Sequence, residues 1–251
     1  MSGHSKWATI KRKKGSLDAK RGALFTKIIR EITVAAKNGG DDINSNPRLR
    51  TAITKAKANN MPNDNIERAI KKGTGTLEGV TYEEIQYEGY GPGGVAIMVS
   101  CLTDNRNRTT AEVRAAFTKH GGNLGETGSV GYLFNRKGYM LIEAGQTTED
   151  AVMELLMDNN VEDIKTEDGN IEVVTPPDGY NEVHDVLGNK EFKLIEDEIT
   201  FIPQTTVTLD EKKGSQCLRL IEVLEDLDDV QNVYSNYDIP DDVMMKISEA
   251  Q

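Results

Sequence analysis

The residues with the clearest potential for chemistry lie at the start of the chain, where five cations fall between Lys6 and Lys14. Five unopposed positive charges in nine residues repel one another unless an anion neutralises them. A single lysine of this kind is more often only a solvated surface charge. Trp7 lies among these cations and can either anchor the segment to the protein or stack on a base. We call residues 1–16 the basic arm and predict that it binds a polyanion.

The charge of the whole chain conceals a division between its two parts. The formal net charge is −11. Residues 1–72 carry 17 lysines and arginines against 6 acids, which gives +11, whereas residues 73–251 carry 13 against 35, which gives −22. Nucleic acid is attracted only to the basic part, so we expect that part to form the contact surface. The acidic remainder would then either limit indiscriminate binding or simply maintain solubility.

Residue patterns typical of catalysis or metal binding are lacking in the sequence. His4, His120 and His184 lie far apart without metal-ligand spacing, and no GxSxG or CxxC motif is present. Acidic pairs such as Asp228-Asp229 are expected to be solvated loop residues. We therefore predict a protein that is not an enzyme and that holds no metal or other cofactor. An enzyme with an acid-lined site between domains is the least favoured alternative, and such a cleft could also bind a divalent cation or a basic peptide.

Length and hydropathy indicate a soluble protein of one to three domains. No apolar run approaches the ~20 residues of a membrane span, and no apolar stretch of a secretory signal follows the basic start. Cys101 and Cys217 lie in apolar periodic segments, so we expect both to be buried free thiols. These features predict a cytoplasmic protein that has no membrane partner. We expect a monomer or weak oligomer, although no pattern in the sequence determines the oligomeric state.

Hydrophobic periodicity predicts a three-helix domain over residues 1–78. The apolar residues of the first helix, residues 17–37, fall in one arc of about 140°. The opposite side of that helix carries Lys20, Lys27, Arg30 and Lys37, and Arg21 lies at its edge. A second helix begins at Asn46-Pro47, and a third ends before Gly73. The first helix would thus continue the cationic surface of the basic arm.

Beyond residue 79 the pattern predicts two acidic α/β domains, so the fold class is α+β. From about residue 139 to residue 202 the element order is β-α-β-β-α-β, which is typical of a ferredoxin-like unit. We predict that this unit, residues 129–203, is inserted in another domain formed by residues 79–128 and 204–251. The insertion predicts that a strand at 205–209 pairs with residues 82–102. Asn135-Arg136-Lys137-Gly138 is predicted to be a turn between strands at 129–134 and 139–142.

A second candidate contact surface lies at the predicted N-terminus of the helix over residues 105–120. Arg106 and Arg108, together with the free backbone N–H groups of the first helical turn, could hold a phosphate. The alternative is an ordinary helix cap with exposed arginines. If these arginines bind nucleic acid, the contact surface spans two domains.

Several segments of the chain resemble the YebC family. The matching segments are Met1-Ser2-Gly3-His4-Ser5-Lys6-Trp7, Ile10-Lys11-Arg12-Lys13-Lys14, Asp18-Ala19-Lys20-Arg21-Gly22, Phe25-Thr26-Lys27 and Asn59-Asn60-Met61-Pro62. The polar segment at residues 104–109 also looks like a signature of that family. The resemblance covers essentially the whole chain and implies the same three-domain layout. Its members are bacterial regulators, some of them PmpR-type transcriptional regulators, with a mitochondrial relative that activates translation.

Composition and resemblance together predict a DNA-binding transcriptional regulator that acts through its basic N-terminal domain. The resemblance also implies an alternative, a ribosome-associated translation factor that binds ribosomal RNA and relieves stalling on proline-rich stretches. The candidate nucleic-acid contacts are His4, Lys6, Trp7, Lys11, Arg12, Lys13, Lys14, Lys20, Arg21, Lys27, Arg30, Arg106 and Arg108. Most of these lie in the arm and along the first helix, which favours contacts to the phosphate backbone over readout of base edges.

Overall fold

A computed structural model describes residues 17–167 and 169–249, and it describes side chains in the first helix from residue 22 onward. Nine predicted contacts fall outside these limits: His4, Lys6, Trp7, Lys11, Arg12, Lys13 and Lys14, together with the side chains of Lys20 and Arg21. Within the described part, no helix is long and apolar enough to cross a membrane. The structure has the predicted α+β class, with a helical N-terminal domain before two α/β units.

The N-terminal domain contains the three helices that periodicity predicts: α1 (Leu17–Gly39), α2 (Pro47–Ala58) and α3 (Asn63–Gly73). Their apolar faces meet in a core centred on Ile32, Leu49 and Ala56. Asn46 caps α2 by accepting a hydrogen bond from the Leu49 N–H at 3.1 Å, and its amide donates to Ala35 O at 2.8 Å. One side chain therefore both starts α2 and joins it to α1.

The first α/β unit begins with β1 (Glu83–Tyr90), β2 (Ala96–Thr103), α4 (Arg106–Lys119) and the short β3 (Asn123–Leu124). Strands β1 and β2 form an antiparallel hairpin, and β3 pairs with the other edge of β1. Strand β2 is apolar along nearly its whole length and buried, which is why α4 and later elements pack against it.

The middle unit comprises β4 (Phe134–Ile142), α5 (Glu149–Leu155), β5 (Asp163–Glu167), β6 (Asn170–Thr175), α6 (Tyr180–Asn189) and β7 (Leu194–Pro203). Its antiparallel sheet has the order β5-β6-β4-β7, which is the ferredoxin-like arrangement predicted from the element order. Alternate residues such as Met140 and Val173 pack under α5 and α6. Their neighbours Tyr139 and Glu172 point to the opposite face of the sheet.

The predicted turn at residues 135–138 is wrong, because β4 runs through it without interruption. Gly138 pairs with both Thr175 and Ile199, and a side chain there would lie 2.8 Å from the Tyr180 Cβ of α6. Glycine at position 138 therefore allows α6 to pack closely on β4, and it does not form a turn. The predicted strand over 129–134 is instead a 3-10 turn at Gly131–Leu133, followed by β4.

The chain ends with β8 (Val207–Thr208), α7 (Glu211–Glu225), β9 (Val230–Ser235), β10 (Tyr237–Asp238) and α8 (Asp241–Glu249). Strand β9 pairs with β2, so the first sheet has the order β3-β1-β2-β9 and the middle unit is an insertion. The predicted pairing of residues 205–209 with 82–102 is wrong: β9 occupies that edge of β2, and β8 pairs with β10. The boundaries predicted at residues 78, 128 and 203 stay predictions.

Candidate nucleic-acid interface

The cationic side of α1 lies against the first α/β unit. The Lys27 ammonium donates to Glu225 O at 2.6 Å, and the Arg30 guanidinium donates to the backbone oxygen of Asp228 and to Asp229 Oδ1, the latter at 2.7 Å. The Arg30 guanidinium also lies 5.6 Å from the centroid of the Tyr82 ring. The Arg30 side chain is only 12% exposed. Sequence periodicity placed Lys27 and Arg30 on the side of α1 opposite its apolar face. The structure shows that the first α/β unit partly covers that side.

Asp229 is the acceptor around which this contact is built. It lies in the turn between α7 and β9, and 2% of its side chain is exposed. Its Oδ2 atom accepts hydrogen bonds from Thr109 at 2.6 Å, from Arg108 at 2.7 Å and from Thr103 at 3.0 Å. The expectation that the Asp228-Asp229 pair is only loop solvation is therefore wrong for Asp229.

The environment of the Asp229 carboxyl determines its protonation. Burial alone would raise its pKa, because the charged form is poorly solvated. Hydrogen bonds from Thr109, Arg108 and Thr103 outweigh burial, and with the charge of Arg30 they hold the pKa below its ordinary value. Asp229 is thus an ionised carboxylate whose charge is shared by two arginines.

The N-terminus of α4 is closed by its own cap. Asn105 Oδ1 accepts the Arg108 N–H at 3.1 Å. The Arg108 side chain bridges Asp229 and Asp104, with a nitrogen 2.7 Å from an oxygen of each. The hydrogen bond from Arg108 also lowers the pKa of Asp104. The Arg108 side chain is still 41% exposed, and Arg106 is exposed too. The structure thus brings Arg30 and Arg108 together through one carboxylate, and it leaves Arg106 at the surface.

A second ion-pair group joins the N-terminal domain to the same unit, and sequence reasoning did not identify it. Arg48 of α2 contacts Glu31 at 2.7 Å and Glu84 of β1 at 2.6 Å. Asn38 donates to the same Glu84 oxygen at 3.3 Å. All three charged side chains are at least 30% exposed, so we expect this group to contribute less than the buried Asp229 contact.

Further cations of the N-terminal domain lie at its surface. They are exposed side chains on the outer sides of α2 and α3 and at the end of α1: Lys37, Arg50, Lys55, Lys57, Arg68, Lys71 and Lys72. The apolar stripes of the helices, which point inward to the shared core, leave these positions to solvent. A positive surface therefore exists in the described part of the domain as well as in the arm sequence.

A cleft of about 1060 Å³ lies where the three units meet. Its walls are residues 23–27 of α1, the open face of the middle sheet, the end of α7 and strand β9. The described residues that line it include seven carboxylates and three lysines. The rings of Phe201 and Tyr234 form an edge-to-face pair in its wall, with centroids 5.1 Å apart. Among the described residues, no group of three or more His, Cys, Asp or Glu side chains is placed to hold a metal ion.

Two family models match the chain. Residues 5–76 match the TACO1/YebC protein N-terminal domain, and residues 82–237 match the TACO1/YebC second and third domain. The chain belongs to the TACO1/YebC family. The resemblance identified in the sequence is thereby confirmed.

Relatives of this TACO1/YebC-family chain extend over nearly its whole length. A protein of Syntrophus aciditrophicus is 56% identical over 99% of this chain and 100% of its own, and one of Trichlorobacter lovleyi is 58% identical over 98% and 100%. Both are named "Probable transcriptional regulatory protein". The crystal structure of a conserved hypothetical protein, Aq1575 from Aquifex aeolicus, is similar with a TM-score of 0.81. It is 49% identical, with 91% of this chain and 94% of that chain covered.

The contacts described above connect the two parts that the TACO1/YebC models match separately. Arg30 and Arg48 belong to the N-terminal part, while Asp229 and Glu84 belong to the second. These ion pairs therefore set the orientation of the basic N-terminal domain relative to the acidic units.

Proposed function

We propose that this protein is a cytosolic nucleic-acid-binding regulator that acts through its basic N-terminal domain. More specifically, we propose that it binds DNA and regulates transcription. The observation that carries the proposal is the separation of charge, with +11 on residues 1–72 and −22 on the remainder. A polyanion is attracted to one end of such a molecule and repelled by the other. The names of the relatives in Syntrophus and Trichlorobacter support the regulatory role.

The contacts of the candidate residues within the chain divide them into two groups. We assign phosphate binding to the basic arm, to Lys20 and Arg21, to Arg106, and to the exposed cations of α2 and α3. Lys27, Arg30 and Arg108 make short contacts to oxygens of the chain itself. We assign to these three the orientation of the N-terminal domain, and we expect the arm to supply the larger share of the binding free energy.

The salt dependence of binding to duplex DNA tests the proposal. Neutralisation of ~5 phosphates predicts that log affinity falls with log salt concentration at a slope of about −4 to −5. Replacement of Lys11, Arg12, Lys13 and Lys14 by Ala should reduce that slope by about 3 to 4 and weaken binding at low salt. A slope near zero for the wild type, or unchanged binding by the fourfold arm variant, would contradict the proposal.

A matched control separates local contact from the overall charge. Lys119, Lys190, Lys212 and Lys246 are exposed lysines outside the basic domain. Their combined replacement by Ala removes the same four charges, and we expect it to leave the salt slope unchanged. An equal loss of slope in both variants would mean that net charge, and not the arm, governs binding.

The alternative is a ribosome-associated translation factor that binds ribosomal RNA. One property of the predicted contacts supports it. They are predominantly contacts to phosphate, and double-stranded RNA is recognised largely by its shape and backbone. Gel-shift titration with promoter-containing DNA and co-sedimentation with ribosomes at one salt concentration would separate the two functions. Binding to ribosomes without binding to DNA would favour the translation factor.

A further inference from the structure

We propose that the acidic cleft between the three units is the docking site for the basic arm of the same chain. The arm then alternates between the cleft and a nucleic acid, and the cleft acts as a competitor of the polyanion. The competition between the cleft and a nucleic acid for the arm rests on the proposed function, whereas docking of the arm does not. Docking of the arm is an intramolecular event that can be measured without nucleic acid.

The charges of the two partners are complementary. The arm carries five cations and no acid. The middle sheet contributes five carboxylates to the cleft: Asp163, Glu167, Glu172, Glu196 and Glu198. Glu225 and Asp226, at the end of α7, contribute two more on the opposite wall, against three lysines in the whole lining. A strip of positive charge is attracted into such a cleft, and the attraction is greater there than at an open surface because the walls exclude part of the water.

The arm is attached beside the cleft. It precedes Leu17, and Ala23 and Leu24 of the same helix already line the cleft. Six or seven residues of helix correspond to about 10 Å along the helix axis. Sixteen residues in an extended conformation span up to ~55 Å, so the arm is long enough to return along this distance and enter the cleft. A short tether of this kind gives an effective concentration on the order of millimolar.

The cleft also offers apolar surface that matches the composition of the arm. Trp7 and Ile10 are large apolar residues between the cations of the arm. The aromatic rings of Tyr139, Phe201 and Tyr234 line the cleft together with its carboxylates. A basic segment with an indole can therefore bury its ring against aromatic side chains while its cations face carboxylates.

Trp7 provides a direct test because it is the one tryptophan of the sequence. At low salt and without nucleic acid, we expect the fluorescence emission of the full chain to be blue-shifted, and to move to the red as salt is added. The variant Asp163→Asn/Glu196→Gln/Glu198→Gln removes three carboxylates of the cleft, and its low-salt emission should already be red-shifted. Asp163 and Glu198 are exposed and Glu196 is half-buried, so the fold should tolerate these changes. Emission equal to that of the wild type in this variant would overturn the proposal.

The control variant is Glu112→Gln/Glu154→Gln/Asp178→Asn, which removes three exposed carboxylates that do not line the cleft. Its emission should match that of the wild type at every salt concentration. A red shift of equal size in this control would mean that the arm responds to net charge alone, which also contradicts docking in the cleft.

Other occupants of the cleft give different results in the same measurement. If the arm of a second copy enters, the blue shift depends on protein concentration, whereas an intramolecular arm gives a constant shift on dilution. If the cleft instead receives a basic peptide of another protein, the purified chain shows solvent-exposed emission at low salt. Either result would overturn the proposal.

Titration with duplex DNA distinguishes docking from the proposed function. If the arm is docked ~80–90% of the time, loss of docking should raise the affinity for DNA about five- to tenfold in the cleft variant relative to the control variant. A cleft-dependent shift of Trp7 emission without any DNA binding would support docking and contradict the proposed function. DNA binding that depends on the arm, with no cleft-dependent shift, would support the function and overturn docking.

Discussion

Arg30 of α1 and Arg108 of α4 contact the two different oxygens of one buried carboxylate, that of Asp229, each at 2.7 Å. The two arginines are 78 positions apart and belong to different units of the fold. Thr103 and Thr109 donate to the same Asp229 oxygen as Arg108, so the carboxylate is bound from both sides. This arrangement orients α1, and with it the attachment point of the basic arm, relative to the acidic units.

Replacement of Asp229 by Asn should destabilise the protein by about 3 kcal/mol. The change leaves the buried Arg30 guanidinium without its ionic partner, and loss of one member of a buried ion pair is strongly unfavourable. The free energy of unfolding in urea measures the effect. Asp228→Asn is the matched control, because the Asp228 side chain is exposed and only its backbone oxygen accepts from Arg30. A loss below 1 kcal/mol in Asp229→Asn would show that this ion pair does not hold the domains together.

The Asp229 contact should also make stability depend on pH in the acidic range. The pKa of this carboxyl is lower in the folded chain than its ordinary value of about 3.9. The unfolded chain therefore takes up a proton first as the pH falls, and the stabilisation present above pH ~4 is lost below it. The difference in unfolding free energy between wild type and Asp229→Asn should accordingly shrink from pH 6 towards pH 3. A difference that stays constant over this range would contradict the assignment.

The sequence predicted the elements well where burial follows a regular period. The apolar positions of α1, α2 and α7 recur at helical spacing, and each of these helices was confirmed. Contacts between distant residues could not be predicted in this way. Asp229 and its partners Arg30 and Arg108 lie in separate segments, and only the folded arrangement shows that an acid in a loop is buried. The separation of charge was visible in the sequence, but the position of the acidic cleft was not.

Glu88 gives a second example of a carboxylate whose role depends on the fold. It is 5% exposed and accepts backbone hydrogen bonds from Gly128 at 2.9 Å, Val130 at 2.7 Å and Gly131 at 2.6 Å. Burial would raise its pKa, but these three donors lower it. The side chain thereby fixes the segment that leads from the first unit into the inserted one.

Replacement of Glu88 by Gln should destabilise the protein by about 2 kcal/mol. The Gln amide group turns an N–H towards backbone donors, so at least one buried N–H loses its acceptor. Urea unfolding measures the loss, and Glu83→Gln on the exposed start of the same strand is the control that should change little. Equal stability of Glu88→Gln and Glu83→Gln would show that the three hydrogen bonds are replaced by water at no cost.

Two glycines of the middle unit should respond in opposite directions to replacement by Ala. At Gly138 in β4, a Cβ atom would lie 2.8 Å from the Tyr180 Cβ, so Gly138→Ala should cost about 1–3 kcal/mol through overpacking. At Gly188 in α6, an added Cβ would have no atom of the described residues within 4 Å apart from its own helix backbone and chain neighbours, so Gly188→Ala should stabilise the helix by about 0.5 kcal/mol. Thermal unfolding of the two variants beside the wild type measures both effects. If Gly138→Ala were as stable as the wild type, the close packing of α6 on β4 would not be the reason for glycine at this position.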